Sequence, residues 1–273
     1  MVVGSDLLLL ALLMLATGAV GGVIAGLLGV GGGIVIVPVL ELALGVAGVD
    51  AAIRMHVAVA TSLATIIPTS ISSARAHHRR GAVDLDLARR WGALVFAGAV
   101  LGTVIAAFVT SAVLALVFAT VALLVAAKMI LPLDHVTIAP ELPRGVAAAP
   151  LPLATGTISS LMGIGGGTIS VPLLSLFGYP IHRAVGTAAI FGLVIGIPGT
   201  IGYIVSGWGD PRLPAFSLGY VNLAGLLFIG PMTALTAPWG ARIAHALSKR
   251  HLSLFFGAFL LLVSIRMFYR AFA

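Results

Sequence analysis

The stretch Gly29-Val-Gly-Gly-Gly-Ile-Val-Ile-Val-Pro38 returns later in the chain as Gly163-Ile-Gly-Gly-Gly-Thr-Ile-Ser-Val-Pro172. The two copies, called here the first and second glycine stretch, begin 134 residues apart (163 minus 29) and lie between apolar segments. Three consecutive glycines favour unusual backbone angles and interrupt a helix. Such a break inside a bilayer must line a cavity or be buried in protein. The repeated stretch therefore predicts a paired substrate site, with close helix packing as the alternative.

The composition is that of an integral membrane protein. Of the 273 residues, 60% are hydrophobic and only 8% charged, with a mean hydropathy of +1.19, whereas soluble proteins carry about 25% charged residues. Apolar runs of roughly 20 residues recur along the chain, as bilayer spans require, and leave no room for a soluble domain. The first six residues lack Lys and Arg, so the first apolar run is interpreted as a retained helix rather than a signal peptide.

Cysteine usage and net charge exclude several other kinds of site. The chain has no cysteine, which excludes disulfides and thiolate metal sites, and we expect neither a metal nor a cofactor. The net charge of +7 is better explained by basic loops that orient a membrane protein than by nucleic-acid binding.

Ten helices are predicted, and two of them are short. The predicted ranges are 6–28, 34–47, 51–73, 91–109, 111–131, 148–162, 168–178, 182–205, 217–246 and 252–271. The helix after the first glycine stretch has about 14 residues and a length of about 21 Å, which is marginal for a core of about 30 Å. Full crossings and hairpins that dip in from one side both remain open. The ninth helix is expected to bend or break near Pro231 and Pro238.

Further matches extend the repeat beyond the glycines. The segment His56–Thr61 resembles His182–Thr187, and two more pairs of segments match at similar offsets: 81–85 with 219–223, and 102–106 with 240–244. Five elements per repeat is an odd number, so the second repeat is inverted relative to the first. The predicted fold is an all-α polytopic membrane protein made of two inverted-topology repeats, at 1–131 and 148–273, joined by a cytoplasmic linker at 132–147.

The basic residues predict the orientation. Placing the basic segment 75–90 in the cytoplasm puts eleven of the fifteen Lys and Arg residues on or near the inner side, as the positive-inside rule requires. Counting crossings from that loop places the N- and C-termini outside.

The glycine stretches predict a site for a small anion. Helix N-termini that meet near the middle of the bilayer offer free N–H groups and partial positive charge. Glu41 is the single acidic residue within an apolar element, which disfavours a cation pathway. The predicted substrate-binding residues are Gly31, Gly32, Gly33, Gly165, Gly166, Gly167, Thr61, Ser62, Thr168, Ser170 and Thr187.

Four basic residues near the ends of two predicted helices are candidates for gating or proton coupling. They are Arg54, His56, His182 and Arg183. A histidine can titrate near neutral pH, and the alternative for each residue is a side chain that snorkels to the lipid headgroups. Pro38 and Pro172 are expected to shape the short helices, because each lies beyond the first turn where proline fits easily.

The chain resembles the sulfite exporter TauE/SafE family, also called the TSUP permeases. The resemblance covers essentially the whole chain and is most specific in the duplicated G-x-G-G-G-x-x-x-x-P element. The basic segment after the third helix and Thr61-Ser62-Leu63 also look like the family, whereas the second repeat has Thr187-Ala188-Ala189. The resemblance implies a bacterial or archaeal inner-membrane transporter of sulfite, sulfoacetate or other sulfonates, in many members an exporter.

The expected function is secondary transport of a small sulfur-containing anion by alternating access. The chain has no P-loop for ATP, and no H-E-x-x-H motif or intramembrane carboxylate pair that would indicate an enzyme. An anion channel and a non-transport enzyme or assembly factor remain the alternatives. The expected partners are the anion and the bilayer, with a coupled proton and a homodimer left open and no nucleic acid.

Overall fold

The structure is a computed structural model that describes residues 2–28, 32–131, 139, 142–143, 145–246 and 249–272. Within this part of the chain, apolar sequences form ten α-helices, and a short 3-10 helix at Gly145–Ala148 precedes the sixth. The helices are α1 (Val2–Leu28), α2 (Gly33–Val46), α3 (Ala51–Arg79), α4 (Leu85–Phe108), α5 (Ser111–Ile130), α6 (Pro150–Met162), α7 (Gly166–Ser175), α8 (Ile181–Ser206), α9 (Leu223–Ala246) and α10 (Lys249–Phe272).

Several helix boundaries differ from those predicted. The basic residues from Arg75 to Arg79 lie in the last turn of α3 rather than in a loop, and α4 begins at Leu85 because Asp84 caps it. The expected break in the ninth helix is wrong, because α9 continues through Pro231 and Pro238. Most of the predicted linker at 132–147 lies outside the described residues.

The chain before α9 forms a small hairpin that the sequence did not indicate. The strands β1 (Ser217–Leu218) and β2 (Val221–Asn222) pair antiparallel, with Ser217 opposite Asn222. Two-residue strands carry too little periodicity to be recognised in sequence.

The helices pack as two related sets around a central pair. Helices α3 and α8 pack against each other, α2 packs on α3, and α7 packs on α8. Around them α1 packs on α9, α4 packs on α6, and α5 packs on α10. Small residues allow the close contacts: a Cβ on Gly22 would lie 2.7 Å from the Cα of Thr233, and one on Gly156 would lie 2.1 Å from the carbonyl oxygen of Val95.

Helix lengths divide the chain into spanning and shorter segments. Five helical segments among the described residues are long and apolar enough to cross a membrane: Ala51–Arg79, Leu85–Phe108, Ser111–Ile130, Ile181–Ser206 and Leu254–Phe272. Large apolar side chains such as Phe108, Leu124 and Leu262 point outward from these helices. The ten-residue α7 measures only about 15 Å, half of a hydrocarbon core of about 30 Å, so it does not cross alone.

Candidate functional site

Both glycine stretches interrupt a helix, as predicted. In the first, Gly32 has a φ of 79° and α2 begins at the next residue; Gly29, Val30 and Gly31 lie outside the described residues. In the second, Gly163 ends α6 with a φ of 69°, and α7 begins at Gly166. Positive φ angles of this kind favour glycine, which has no Cβ to clash with the backbone.

The two breaks touch each other inside the protein. A Cβ on Gly33 would lie 2.8 Å from the carbonyl oxygen of Gly163 and 2.9 Å from the Cα of Ile164. The same carbonyl accepts a hydrogen bond of 2.7 Å from the hydroxyl of Ser62, on α3. A buried hydroxyl therefore fixes one break where the other passes.

The N-termini of both short helices lack a side-chain cap. No side chain bonds the first N–H groups of α2, after Gly32, or of α7, after Gly165. The first N–H groups of a helix have no intrahelical partner and carry partial positive charge. Gly33 and Gly166 are buried, so these groups must be satisfied inside the protein.

Unpartnered hydroxyls lie next to the second break. Within the described part of the chain, the side-chain oxygens of Ser159, Thr168 and Ser170 are buried and have no hydrogen-bond partner. Thr168 and Ser170 belong to the first two turns of α7, and Ser159 ends α6. Buried polar groups rarely lack a partner in folded proteins, so three of them at one break indicate a site for a polar ligand.

Two other predicted hydroxyls already have partners. The backbone N–H of Asn222 donates to the Thr61 hydroxyl oxygen at 3.0 Å, and the N–H of Asp84 donates to that of Thr187 at 3.0 Å. Asn222 and Asp84 then cap the following helices, accepting from the N–H groups of Gly225 and Leu87. Thr61 and Thr187 thus hold the entry of α9 and α4 against the central helices.

His56 is buried and bonded at both ring nitrogens, whereas His182 is exposed. The Nε2 of His56 lies 3.1 Å from the carbonyl oxygen of Ala106, and its Nδ1 lies 3.2 Å from the hydroxyl of Ser111. The ring of Tyr220 lies 5.0 Å away. His56 therefore joins α3 to α4, α5 and the hairpin.

Arg54 lies in an ion cluster that the sequence did not predict. The buried carboxylate of Glu41 accepts from Arg266 at 2.7 Å and from Arg270 at 3.1 Å, and lies 3.6 Å from Arg54. Arg54 also donates to the carbonyl of Val49 at 2.8 Å. A carboxylate in an apolar helix requires such partners, and this is the signal that was missed.

Arg183 lies in a second network, at the other end of the bundle. Its Nη2 lies 3.6 Å from a carboxylate oxygen of Asp84, which also accepts from the hydroxyl of Tyr179. Partial burial opposes the ionisation of Asp84, but these contacts and the N–H of Leu87 outweigh it and lower its pKa. Burial and the Asp84 carboxylate raise the pKa of Tyr179 to about 12.

The remaining predicted residues shape the short helices. Pro38 and Pro172 both lie inside their helices. A Cβ on Gly165 would meet Ile66, one on Gly166 would meet Phe191, and Gly167 is the second residue of α7. The described ranges contain no group of three His, Asp or Glu residues able to hold a metal ion.

Comparison with known proteins agrees with this architecture. The family described as Sulfite exporter TauE/SafE matches residues 14–267. A probable membrane transporter protein of Haemophilus influenzae is 36% identical over 259 residues, covering 94% of this chain and 97% of the relative. Another, from Methanocaldococcus jannaschii, is 26% identical over 265 residues, covering 93% and 94%. No solved structure matches the chain significantly. The chain therefore belongs to the sulfite exporter TauE/SafE family, and it is a multi-pass membrane protein of the transporter class rather than an enzyme.

Proposed function

We propose that the protein is a secondary transporter of a small sulfur-containing anion, such as sulfite or an organosulfonate, and that the anion binds between the two glycine stretches. The observation that carries this proposal is the contact between two buried helix breaks, each beginning a short helix without a side-chain cap. Their N–H groups favour negative charge without a charged side chain.

The unpartnered hydroxyls support an oxyanion in particular. A sulfite or sulfonate group has three oxygens, each an acceptor, and Thr168, Ser170 and Ser159 supply three buried donors at one break. Hydrogen bonds to a charged group contribute roughly 1.5–3 kcal/mol each. The hydroxyl of Ser62 is committed to Gly163, so its role is to position the break, and Thr61 and Thr187 position the helices around it.

We also propose that two inverted repeats, 1–131 and 148–273, carry out alternating access. Matched contacts support this: Thr61 and Thr187 each accept from the backbone N–H of a residue in the other repeat. The packing of α1 on α9 and of α6 on α4 exchanges helices between the repeats in the same way. Rocking of two such halves about a fixed central site is a common transport mechanism.

Flux in proteoliposomes tests the proposal. A carrier gives saturable sulfite uptake that accelerates when the vesicles are preloaded with sulfite, whereas a channel conducts without this counterflow. Replacing Thr168 by Val and Ser170 by Ala should weaken sulfite binding by roughly 10- to 100-fold, because each lost hydrogen bond to a charged group contributes about 1.5 kcal/mol or more.

Thr200→Val is the matched control. Its hydroxyl is also buried without a partner among the described residues, but it lies on α8, so sulfite uptake should be unchanged. Normal saturable uptake by the Thr168→Val, Ser170→Ala double variant would contradict the site, and wild-type vesicles without uptake of any sulfur oxyanion would contradict the substrate class.

A further inference from the structure

A second region able to bind an anion opens at the end of the bundle where α3 begins. A cavity of about 470 Å³ lies between the start of α3, the α4–α5 connection, the hairpin and the end of α10. Its polar lining comes from His56, Thr110, Ser111, Arg212, Tyr220 and Arg270. This volume lies in the range of small-molecule sites. We call this cavity the vestibule.

Both vestibule arginines are held in place but keep a donor to spare. Arg212 donates through Nε and Nη2 to Asp210, at 2.9 and 2.6 Å. Arg270 donates through Nε to Glu41 and through Nη2 to the carbonyl oxygen of Ala51, at 3.1 and 2.8 Å. Among the described residues, Nη1 of neither arginine is bonded. Two oriented guanidinium groups are thus available to an incoming oxyanion.

The charge around the vestibule is positive. Four arginines meet three carboxylates in this region, which leaves one positive charge in excess before His56 is counted; the residues are Arg54, Arg212, Arg266, Arg270, Glu41, Asp50 and Asp210. The hydrogen bond from Arg212 lowers the pKa of Asp210 to about 2, so this pair stays charged at neutral pH. A cleft with one sign of charge concentrates ions of the other sign and speeds their binding.

The vestibule also leads toward the proposed central site. Its inner wall includes His56 and Tyr220, whose rings lie 5.0 Å apart. Asn222, two residues beyond Tyr220, bonds Thr61, which lies five residues beyond His56 on α3. Five residues of helix rise about 7.5 Å. A single short step along α3 therefore separates the vestibule from the threonine beside Ser62.

We propose that the vestibule is an anion-binding subsite, with Arg212 and Arg270 as its ligands, that captures an oxyanion-headed solute before it reaches the glycine stretches. The proposal rests on the transport function proposed above. It assigns a ligand class, sulfonate, sulfite or a similar oxyanion, to residues outside both glycine stretches. The hairpin thereby acquires a role, since it carries Tyr220 and follows Arg212.

The absence of cysteine allows a direct test on the full-length protein in proteoliposomes. Ala107 lines the vestibule and is exposed, so Ala107→Cys provides one reactive thiol. The test compares its labelling rates with anionic sulfonatoethyl methanethiosulfonate and cationic trimethylammonioethyl methanethiosulfonate. Arg212→Gln and Arg270→Gln should each lower the anionic-to-cationic rate ratio by roughly threefold or more, because the attracting potential is lost.

Two controls separate a subsite from general surface charge. Arg89→Gln removes an exposed arginine outside the vestibule and should leave the rate ratio unchanged. Sodium sulfate should slow labelling by the anionic reagent more than sodium chloride of equal ionic strength, because screening alone depends on ionic strength. Unchanged ratios in both vestibule variants, or equal protection by the two salts, would overturn the proposal.

Sulfite uptake by the same vesicles distinguishes the two proposals. Uptake with unaltered labelling ratios would retain the transport function and reject the vestibule. Altered ratios with sulfate protection, in vesicles that take up no sulfur oxyanion, would retain the vestibule as an anion site and reject the proposed substrate.

Discussion

The Nη1 of Arg266 donates to the carbonyl oxygen of Pro38 at 3.3 Å. The Nζ of Lys128 donates likewise to the carbonyl oxygen of Pro172 at 3.4 Å. The two prolines end the two glycine stretches, and the two basic residues lie at offsets of 134 and 138. Each short helix is thus held by the last helix of the other proposed repeat. These contacts link the repeated sequence to the positions of α2 and α7.

Glu41 should be essential for the stability of this arrangement. Glu41→Gln removes the negative charge shared by Arg54, Arg266 and Arg270, and breaking a buried ion pair costs about 3–5 kcal/mol. Because these arginines are partly exposed, we expect a smaller loss of about 1–3 kcal/mol, seen as a lower Tm. Asp86→Asn, an exposed acid on α4, should leave Tm unchanged. An unaltered Tm in Glu41→Gln would contradict a stabilising cluster.

Gly166 should tolerate no side chain. A Cβ at this position would lie 2.6 Å from the Cβ of Phe191 and 2.9 Å from the carbonyl oxygen of Ala188. We expect Gly166→Ala to reduce sulfite uptake at least tenfold and to destabilise the protein by about 1–3 kcal/mol, because overpacking shifts the break. Gly92→Ala meets open space and serves as the control. Wild-type uptake by Gly166→Ala would show that the break geometry is not required.

The Asp84 network should give a pH-dependent contribution to stability. Because the pKa of Asp84 lies below its usual 3.8, its contribution is complete above about pH 3.8 and is lost as the pH falls through the lowered value. Tyr179→Phe removes one hydrogen bond, so the Tm difference from wild type should be largest at neutral pH and should shrink below pH 3.8. The exposed Tyr269→Phe is the control. A difference that stays constant with pH would contradict this account.

His56 should carry any proton coupling, and His182 should not. A carbonyl oxygen only accepts, so the Nε2 of His56 carries the hydrogen donated to Ala106. The hydroxyl of Ser111 donates to the carbonyl oxygen of Ala52 at 2.7 Å. With that bond in place Nδ1 must also donate, whereas a neutral His56 requires the hydroxyl to turn toward Nδ1. Protonation of His56 is thereby linked to a contact between α3 and α5.

The measurement is sulfite uptake driven by a pH gradient. His56→Gln should abolish the dependence on the gradient, whereas His182→Gln, which replaces an exposed side chain, should behave as wild type. If uptake ignores the gradient in wild-type vesicles and both variants are silent, proton coupling through His56 is rejected.

The features predicted from sequence are those with a local physical cause. The helix breaks followed from three consecutive glycines, and the short α2 and α7 followed from where those glycines lie. Long-range pairings have no such signal: Glu41 and Arg266 are 225 residues apart, and a single sequence does not reveal that they meet. The hairpin at 217–222 was missed because its strands have two residues each. Arg212, in the loop before it, was therefore not recognised as part of a site.

The most direct test of the central claim is an anion-bound structure of the full-length protein in sulfite. The account predicts a sulfite ion within hydrogen-bonding distance of the backbone nitrogens at Gly32–Gly33 and Gly165–Gly167, with the hydroxyls of Thr168 and Ser170 turned toward it. Sulfite bound solely in the vestibule, or at any other position away from both glycine stretches, would contradict it.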